Sequence, residues 1–453
     1  MNTLVTIFKI PELTQKIVIT LIFLAVYRIG YHIPLPIVDQ NRMLEWAQGT
    51  AAGTFGQLFT LAATFSGSNL GQRTIFGLGI MPYISASIIF QLLANFWPPL
   101  EKLQKEGESG RKKINEYTRY ATVPICFVQS WMLVNYDAAT GLLLPGYEGF
   151  FSVLAAVVTM TAGTMFLMWV GEQIDEYGIG NGISLIIMAG IVARIPEALK
   201  RFFFDITNEG MSFRTSVFQL GSGDANKPGL ETLVMLAVLF LAVVVFIIAM
   251  TKAHRRIPTQ SARHVRGRRV MGGQRQFLPL KLNTAGVMPV IFASSLLMLP
   301  FFIFSWITNA FNANWSAYLA SEFVRQGFVY NLFSIVLIFF FTYFWTGIAF
   351  NPKEVSNNLR DYGSFIPGYR PGRRTGEYLE KVMNRLTFAG ATFLCIVAIT
   401  PSIIMATMPQ VDPLVASFYG GTGLLIMISV SLDLVQKINS HLVMRNYPGL
   451  TDD

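Results

Sequence analysis

From Thr74 to Trp97 the chain runs 24 residues without a charged side chain. At about 1.5 Å of rise per residue, a helix of that length crosses a bilayer core of roughly 30 Å. The preceding stretch, Gly53 to Leu70, is also uncharged, but Gly53, Gly56 and Gly67 cut it and it carries five Thr and Ser hydroxyls. It is apolar enough to leave water, yet broken backbone at membrane depth survives only inside protein or beside a watery cavity. A half-length piece followed at once by a full span predicts a segment folded back into the mouth of a cavity.

The rest of the chain has the same solvent preference. Hydrophobic residues make up 52% and charged residues 13%, where soluble domains carry about a quarter charged. Ten apolar runs are read as spans: Ile17–Leu35, Thr74–Trp97, Tyr120–Tyr136, Phe150–Val170, Ile183–Leu199, Thr232–Met250, Ala285–Ile307, Phe328–Phe350, Leu386–Met408 and Leu414–Val435. The first has no small-residue cleavage site after it and is read as a span rather than a signal peptide. Arg194 and Pro196 make the fifth the weakest. The expected fold is all-α and polytopic, with ten transmembrane helices in two pseudo-symmetric halves of five. Five spans on either side of a long loop, Lys200 to Leu230, suit an inverted repeat. That loop has balanced charges and a Gly-rich GSGDANKPG string, and reads as solvated.

Orientation follows from Lys and Arg in the loops. With the N terminus inside, 26 of the 35 basic residues fall on the cytoplasmic side and 8 outside, so both termini are expected in the cytoplasm. Two inner loops stand out. Residues 252–285 hold nine Lys or Arg and no acid, interrupted by Ile257, Val265, Val270, Phe277 and Leu278. That apolar and Gly punctuation predicts a hairpin-like projection instead of a solvated tail drawn to anionic lipid. A structured basic protrusion is a docking surface for something anionic, such as ribosomal RNA or an acidic protein face. The second such loop is residues 351–385. Between spans four and five, GEQIDEYGIGNGIS (Gly171–Ser184) has no basic residue, and its glycines predict a tight turn. Glu172, Asp175 and Glu176 are better read as solvated or ion-paired than as a metal site. Cys126 and Cys395 fall inside apolar runs and read as packing.

Enzymatic chemistry finds no foothold. The four histidines form no HExxH pair, and neither a Gly-x-Ser-x-Gly elbow nor a phosphate-cradling GxxxxGK[ST] is present. No catalysis, cofactor or metal is expected, and any energy source must come from a partner. The rival reading is an ion- or solute-coupled secondary transporter. Such proteins place ionisable groups within the membrane, whereas Arg28, Arg194 and Asp433 lie near span ends.

Several long strings resemble the SecY family, channel subunits of the bacterial Sec protein translocon. They are YRIGYHIPLP (Tyr27–Pro36), GIMPYISASIIFQLL (Gly79–Leu93), KEGESGRKKINEYTRYAT (Lys105–Thr122) and FLMWVGEQIDEYGIGNGIS (Phe166–Ser184). LPLKLNTAGVMPVIFASS (Leu278–Ser295), FNPKEVSNNLRDYGSFIPGYRPG (Phe350–Gly372) and YGGTGLLIMISV (Tyr419–Val430) continue the series to the C terminus. The resemblance implies a protein-conducting channel in the bacterial inner membrane, passing unfolded polypeptides outward and releasing apolar segments sideways into lipid. It divides the chain into an N-terminal half (1–200), an external connecting loop (201–230), a C-terminal half (231–436) with docking loops 252–285 and 351–385, and a cytoplasmic tail (437–453).

It also implies residue roles. A pore ring of Ile84, Ile88, Ile187, Ile191, Ile291 and Ile426 would exclude water and ions when closed, yet yield around a passing chain. Ile84 and Ile88, like Ile187 and Ile191, are spaced i, i+4 and share a helix face. A plug near 54–70 would use Thr54, Phe55, Leu58, Phe59, Leu61 and Phe65. Ser87, Gln129 and Ser295 would tune a lateral gate, and Arg268, Arg269, Lys281 and Arg370 would dock a SecA motor or the ribosome. Arg373–Arg374 makes the second loop more basic than the family pattern. Implied partners are SecE-like and SecG-like subunits, signal peptides, unfolded client chains and membrane lipids.

Overall fold

The computed structural model describes residues 10–43, 45, 73–207, 210–213, 229–261, 264–266, 269–271, 275–297, 300, 304, 307, 314–324, 327–408, 411, 413–418 and 421–444. Contacts divide the chain into two compact units, residues 1–200 with 430–453 and residues 201–429.

The first unit opens with α1 (Pro11–Gly30), which begins on a proline whose missing N–H costs nothing in the first turn. The apolar run was expected to stay in the span to Leu35, but the helix stops at Gly30. Pro34 and Pro36 disfavour helix just ahead, and a Cβ at Gly30 would collide with the Phe76 ring. A second departure concerns the 24 uncharged residues. Residues 75–80 form turns, with the Gly77 and Gly79 amides donating to the Thr74 and Phe76 carbonyls at 2.9 and 2.7 Å. Gly79 sits at φ +58°, and only then does α2 (Met81–Phe96) begin, with Pro82 in its first turn.

Next come α3 (Pro98–Lys105), α4 (Glu108–Ala139), α5 (Phe150–Tyr177), α6 (Gly182–Val192) and α7 (Ile195–Phe203). The weak fifth span is thus two helices, broken by a turn at Ala193–Arg194 with Arg194 buried. At one end of the unit three connecting segments pair through short bridges, Pro34 with Thr74 and Val38 with Leu143, over a core that includes Leu35, Met43, Val134 and Met160. Another cluster joins Ile10, Leu13, Ile179 and Leu442.

In the second unit, β1 (Phe204–Thr207) and β2 (Gly210–Phe213) pair antiparallel, so the connection read as a plain solvated loop opens with a hairpin. Then comes α8 (Leu230–Lys252), whose Val234, Val238, Leu241 and Val245 lie on one face and are all exposed. A stripe of bare valine and leucine on a 23-residue apolar helix has lipid as its natural neighbour. Four strands follow: β3 (His254–Ser261), β4 (His264–Arg266), β5 (Arg269–Met271) and β6 (Arg275–Lys281). Beyond them lie α9 (Met288–Leu296), α10 (Asn314–Val324), α11 (Phe328–Ala349), α12 (Pro352–Asp361) and β7 (Ser364–Phe365). The chain closes with α13 (Arg373–Thr407), α14 (Pro413–Phe418) and α15 (Gly421–Met444), whose residues from Val430 onward belong to the first unit.

Among the described residues, seven helical stretches are long and apolar enough to cross a membrane: Pro11–Gly30, Phe150–Tyr177, Gly182–Lys200, Leu230–Lys252, Phe328–Asp361, Arg373–Thr407 and Thr422–Val443. The shorter α2 is apolar as well. Of the other two expected spans, Tyr120–Tyr136 forms the second half of α4, whose first half is charged. Only the Met288–Leu296 part of the other is described as α9, and most of 298–313 lies outside the described residues.

Candidate functional site

The six isoleucines are divided between the units. In the first, Ile84 and Ile88 stand half-buried on α2, while Ile187 and Ile191 on α6 are 8% and 2% exposed. Both helices pack on α5. In the second, Ile291 on α9 and Ile426 on α15 are 6% and 2% exposed. The four buried side chains are shut off from water, and none of the six carries a group that would hold a polar ligand.

The segment between α5 and α6 shows why its residues take this form. Gly180 sits at φ +107°, which favours glycine, and a Cβ at Gly182 would run into the Gly171 carbonyl, so only glycine lets α6 approach α5 this closely. Asp175 accepts the Gly182 amide at 2.7 Å, and Asn181 caps α6 by accepting from the Ser184 amide at 3.0 Å. From α1, the Thr20 hydroxyl accepts the Ile179 amide at 3.0 Å. Glu172 pairs with Arg119 of α4 at 2.6 Å. Two of the three clustered acids therefore already have partners within the fold. Among the described residues no group of His, Cys, Asp or Glu is arranged to hold a metal.

A buried ion pair went unread in the sequence. Arg73 donates through Nε and Nη2 to both carboxylate oxygens of Asp137, at 2.9 and 2.7 Å. The Asp137 side chain is 1% exposed. Its partner lies 64 residues away, beyond the reach of any local pattern. The Arg73 carbonyl meanwhile accepts the Leu35 amide at 2.8 Å, which ties the pair to the three bridged connections.

Of the gate candidates, Ser87 accepts a hydrogen bond from the Gln91 amide at 3.1 Å. It lines a cavity of about 280 Å³ with Gln91, Gln104, Asn115 and Thr118, between α2, α3 and α4. Gln129 is half-buried on α4 and is not part of that lining. Ser295 lies on α9, and its side chain is outside the described set. The plug positions Thr54, Phe55, Leu58, Phe59, Leu61 and Phe65 lie outside the described residues, as does Arg268.

The two basic loops form one module of the second unit. β3 and β6 pair antiparallel from His254–Lys281 to Gln260–Arg275, which is the hairpin the sequence predicted. β7, from the other loop, adds to β3 through Gln260–Phe365 and Ser261–Ser364, so the sheet order is β6-β3-β7. Ile257 and Leu280 of the hairpin share a core with Ile366 and with Leu379, Val382 and Met383 of α13. The apolar punctuation of the first loop thus has its partner in the second.

Charge is left on the outside: Arg255, Arg256, Lys281, Lys353 and Arg370 are all exposed. Arg269 stands in β5, which pairs with β4. The backbone around Arg370 is pinned. Its carbonyl accepts the Thr375 hydroxyl at 2.9 Å, the Gly372 carbonyl accepts Ser356 at 2.6 Å, and Tyr369 stacks on Tyr378 at 4.2 Å. The backbone beneath this exposed guanidinium is thus fixed, and a guanidinium has the fork geometry for two-pronged bonding to carboxylate or phosphate.

Comparison with known proteins agrees with this architecture. The SecY family model matches residues 74–435. Protein translocase subunit SecY of Chlamydia muridarum is 40% identical over 463 residues, covering 99% of this chain and 98% of that protein. The Thermotoga maritima protein of the same name is 40% identical over 447 residues, covering 98% and 96%. Among solved structures, a protein conducting channel aligns with TM-score 0.56 at 18% identity, over 97% of this chain and 95% of the other. Sec61 in a canine ribosome-channel complex from the endoplasmic reticulum aligns with TM-score 0.53 at 17% identity, over the same shares.

Proposed function

This chain belongs to the SecY family, and from that premise we propose that it is a protein-conducting channel. It passes unfolded polypeptides across the membrane and releases apolar segments sideways into lipid. The carrying observation is that 40% identity to a protein translocase subunit extends over 99% of the chain. The relatives named above are protein translocase subunits, which does not favour a coupled transporter.

In this reading Ile84, Ile88, Ile187, Ile191, Ile291 and Ile426 form the constriction. Four of them are buried, as a dry closed collar requires. Ser87, Gln129 and Ser295 set the balance of the lateral gate, and the segment 54–70 seals the pore. The β6-β3-β7 module receives a SecA-like motor or a ribosome, with Arg268, Arg269, Lys281 and Arg370 meeting carboxylate or phosphate. One of the structural relatives is a ribosome-channel complex, which supports the second partner. SecE-like and SecG-like subunits complete the assembly in a bacterial inner membrane, with ten spans and both termini in the cytoplasm. The chain itself performs no catalysis and holds no cofactor, and the motor or ribosome supplies the energy.

The test is photocrosslinking of an arrested secretory chain from probes placed at Ile84 and Ile191. Adducts from both positions, lost when the client has no signal sequence, are expected. Adducts from neither would sink the channel reading. Ile426→Asn, which puts an amide into the collar, is expected to admit clients with defective signals. Unaltered stringency in that variant at normal expression would remove Ile426 from the constriction while leaving the channel reading standing.

A further inference from the structure

We propose that a groove of about 550 Å³ between α11 and α13 is a specific site for a phospholipid with a primary ammonium head group, an ethanolamine phospholipid. The inference rests on the chain's place in a membrane and not on what passes through it. The groove is lined by Tyr343 of α11 and by Glu377, Glu380, Lys381, Asn384, Arg385 and Phe388 of α13. Its volume falls within the range of small-ligand sites, about 300–1,000 Å³.

Two apolar stripes lead into it. On α11 the exposed Leu332, Val336, Phe340 and Tyr343 follow one another at three- and four-residue steps along one face. On α13 the exposed Phe388, Ile396 and Ile403 do the same at two-turn intervals. Both stripes end at the groove, where Tyr343 brings its hydroxyl within 3.5 Å of the Asn384 carbonyl. A tyrosine at that border is the usual mark of head-group depth. Acyl chains lying along the stripes would therefore deliver a head group into the charged part of the groove.

The charges there select the head group. Lys381 and Arg385 are four residues apart on α13, a like-charged pair that repels until an anion sits between them. Glu377 is engaged by Arg373 at 2.9 Å. Among the described residues, Glu380, Lys381 and Arg385 are in no ion pair, and all three are exposed. A phosphate answers the two cations, with bidentate bonding available from the guanidinium. Glu380, exposed beside them, offers a carboxylate that a primary ammonium can meet with a charge-assisted N–H bond. A glycerol-headed anionic lipid brings no cation for Glu380, and a quaternary choline has no N–H to donate.

The experiment uses the full chain with its partner subunits, in nanodiscs of equal parts ethanolamine, choline and glycerol phospholipids with identical acyl chains. Lipids retained after transfer to mild detergent are counted by native mass spectrometry. The expected result is preferential retention of the ethanolamine lipid. Lys381→Ala with Arg385→Ala should reduce it roughly tenfold or more, the scale of losing charge-assisted bonds. Glu380→Gln should keep phospholipid binding but erase the preference for ethanolamine over choline. The exposed Lys353→Ala should change nothing, and unfolding temperatures should match throughout. The proposal is overturned if the variants retain the same lipids as the parent. It is equally overturned if the glycerol-headed lipid is retained as well as the ethanolamine lipid, or if a partner subunit shields Arg385 from chemical labelling in lipid-free complex.

Discussion

Arginine does opposite work in two regions of this molecule. In the first unit, Arg73 and Arg119 are spent on Asp137 and Glu172, and the bonds they make join segments far apart in sequence. In the basic module of the second unit, Arg255 and Arg370 stand exposed and in no ion pair among the described residues, because Ile257, Leu280, Ile366 and Leu379 already hold the module together. The difference lies in what the backbone beneath each arginine requires. Arg73 clasps a turn-rich connection to α4 and Arg119 joins α4 to α5, whereas a sheet with an apolar underside holds without its cations and leaves them in water.

That contrast sets an order of effects. The largest belongs to Asp137→Ala, which strands the buried Arg73 charge and should cost about 3–5 kcal/mol in stability. Replacing both partners with apolar residues, Arg73→Met with Asp137→Leu, should cost much less. Thermal unfolding in detergent would compare them, and equal losses would mean that the pair does not act as a clasp. Next comes Arg370→Glu, expected to slow motor-driven export at least about tenfold, some 1.4 kcal/mol, while leaving unfolding unchanged. An export assay with purified membranes would decide it, and export at the parental rate would show that the exposed cations are not a docking surface.

Smaller again is Arg119→Ala, because its side chain is 46% exposed and such pairs are worth roughly 1 kcal/mol or less. Exchanging the charges, Arg119→Glu with Glu172→Arg, should recover most of the loss. Smallest is Arg373→Ala. Its i, i+4 pair with Glu377 lies at the surface, and the unfolding temperature should move by no more than an effect of about 0.5 kcal/mol. A shift as large as that of Asp137→Ala would erase the distinction between clasping and idle charge.

Much of this was legible from the chain alone. Runs without charge marked the membrane helices, and the apolar punctuation of residues 252–285 announced a hairpin, which β3 and β6 form. The glycines of Gly171–Ser184 announced a tight turn, and Gly180 and Gly182 make it. Helix ends were harder. The uncharged run from Thr74 shows no break in hydrophobicity at Met81, where hydrogen bonding by Gly77 and Gly79 and the ring of Pro82 delay the helix. Pairings between distant segments left no local trace. Arg73 with Asp137 and β3 with β7 were invisible because neither has a sequence period.

Taken alone, the amino-acid order determined the solvent, the helical character and the family, since each depends on composition or on strings read in place. Only the folded chain decided which charges are spent inside and which remain available, and that the two basic loops share one core. Burial is a property of what surrounds a side chain, and those surroundings come from segments tens of residues away.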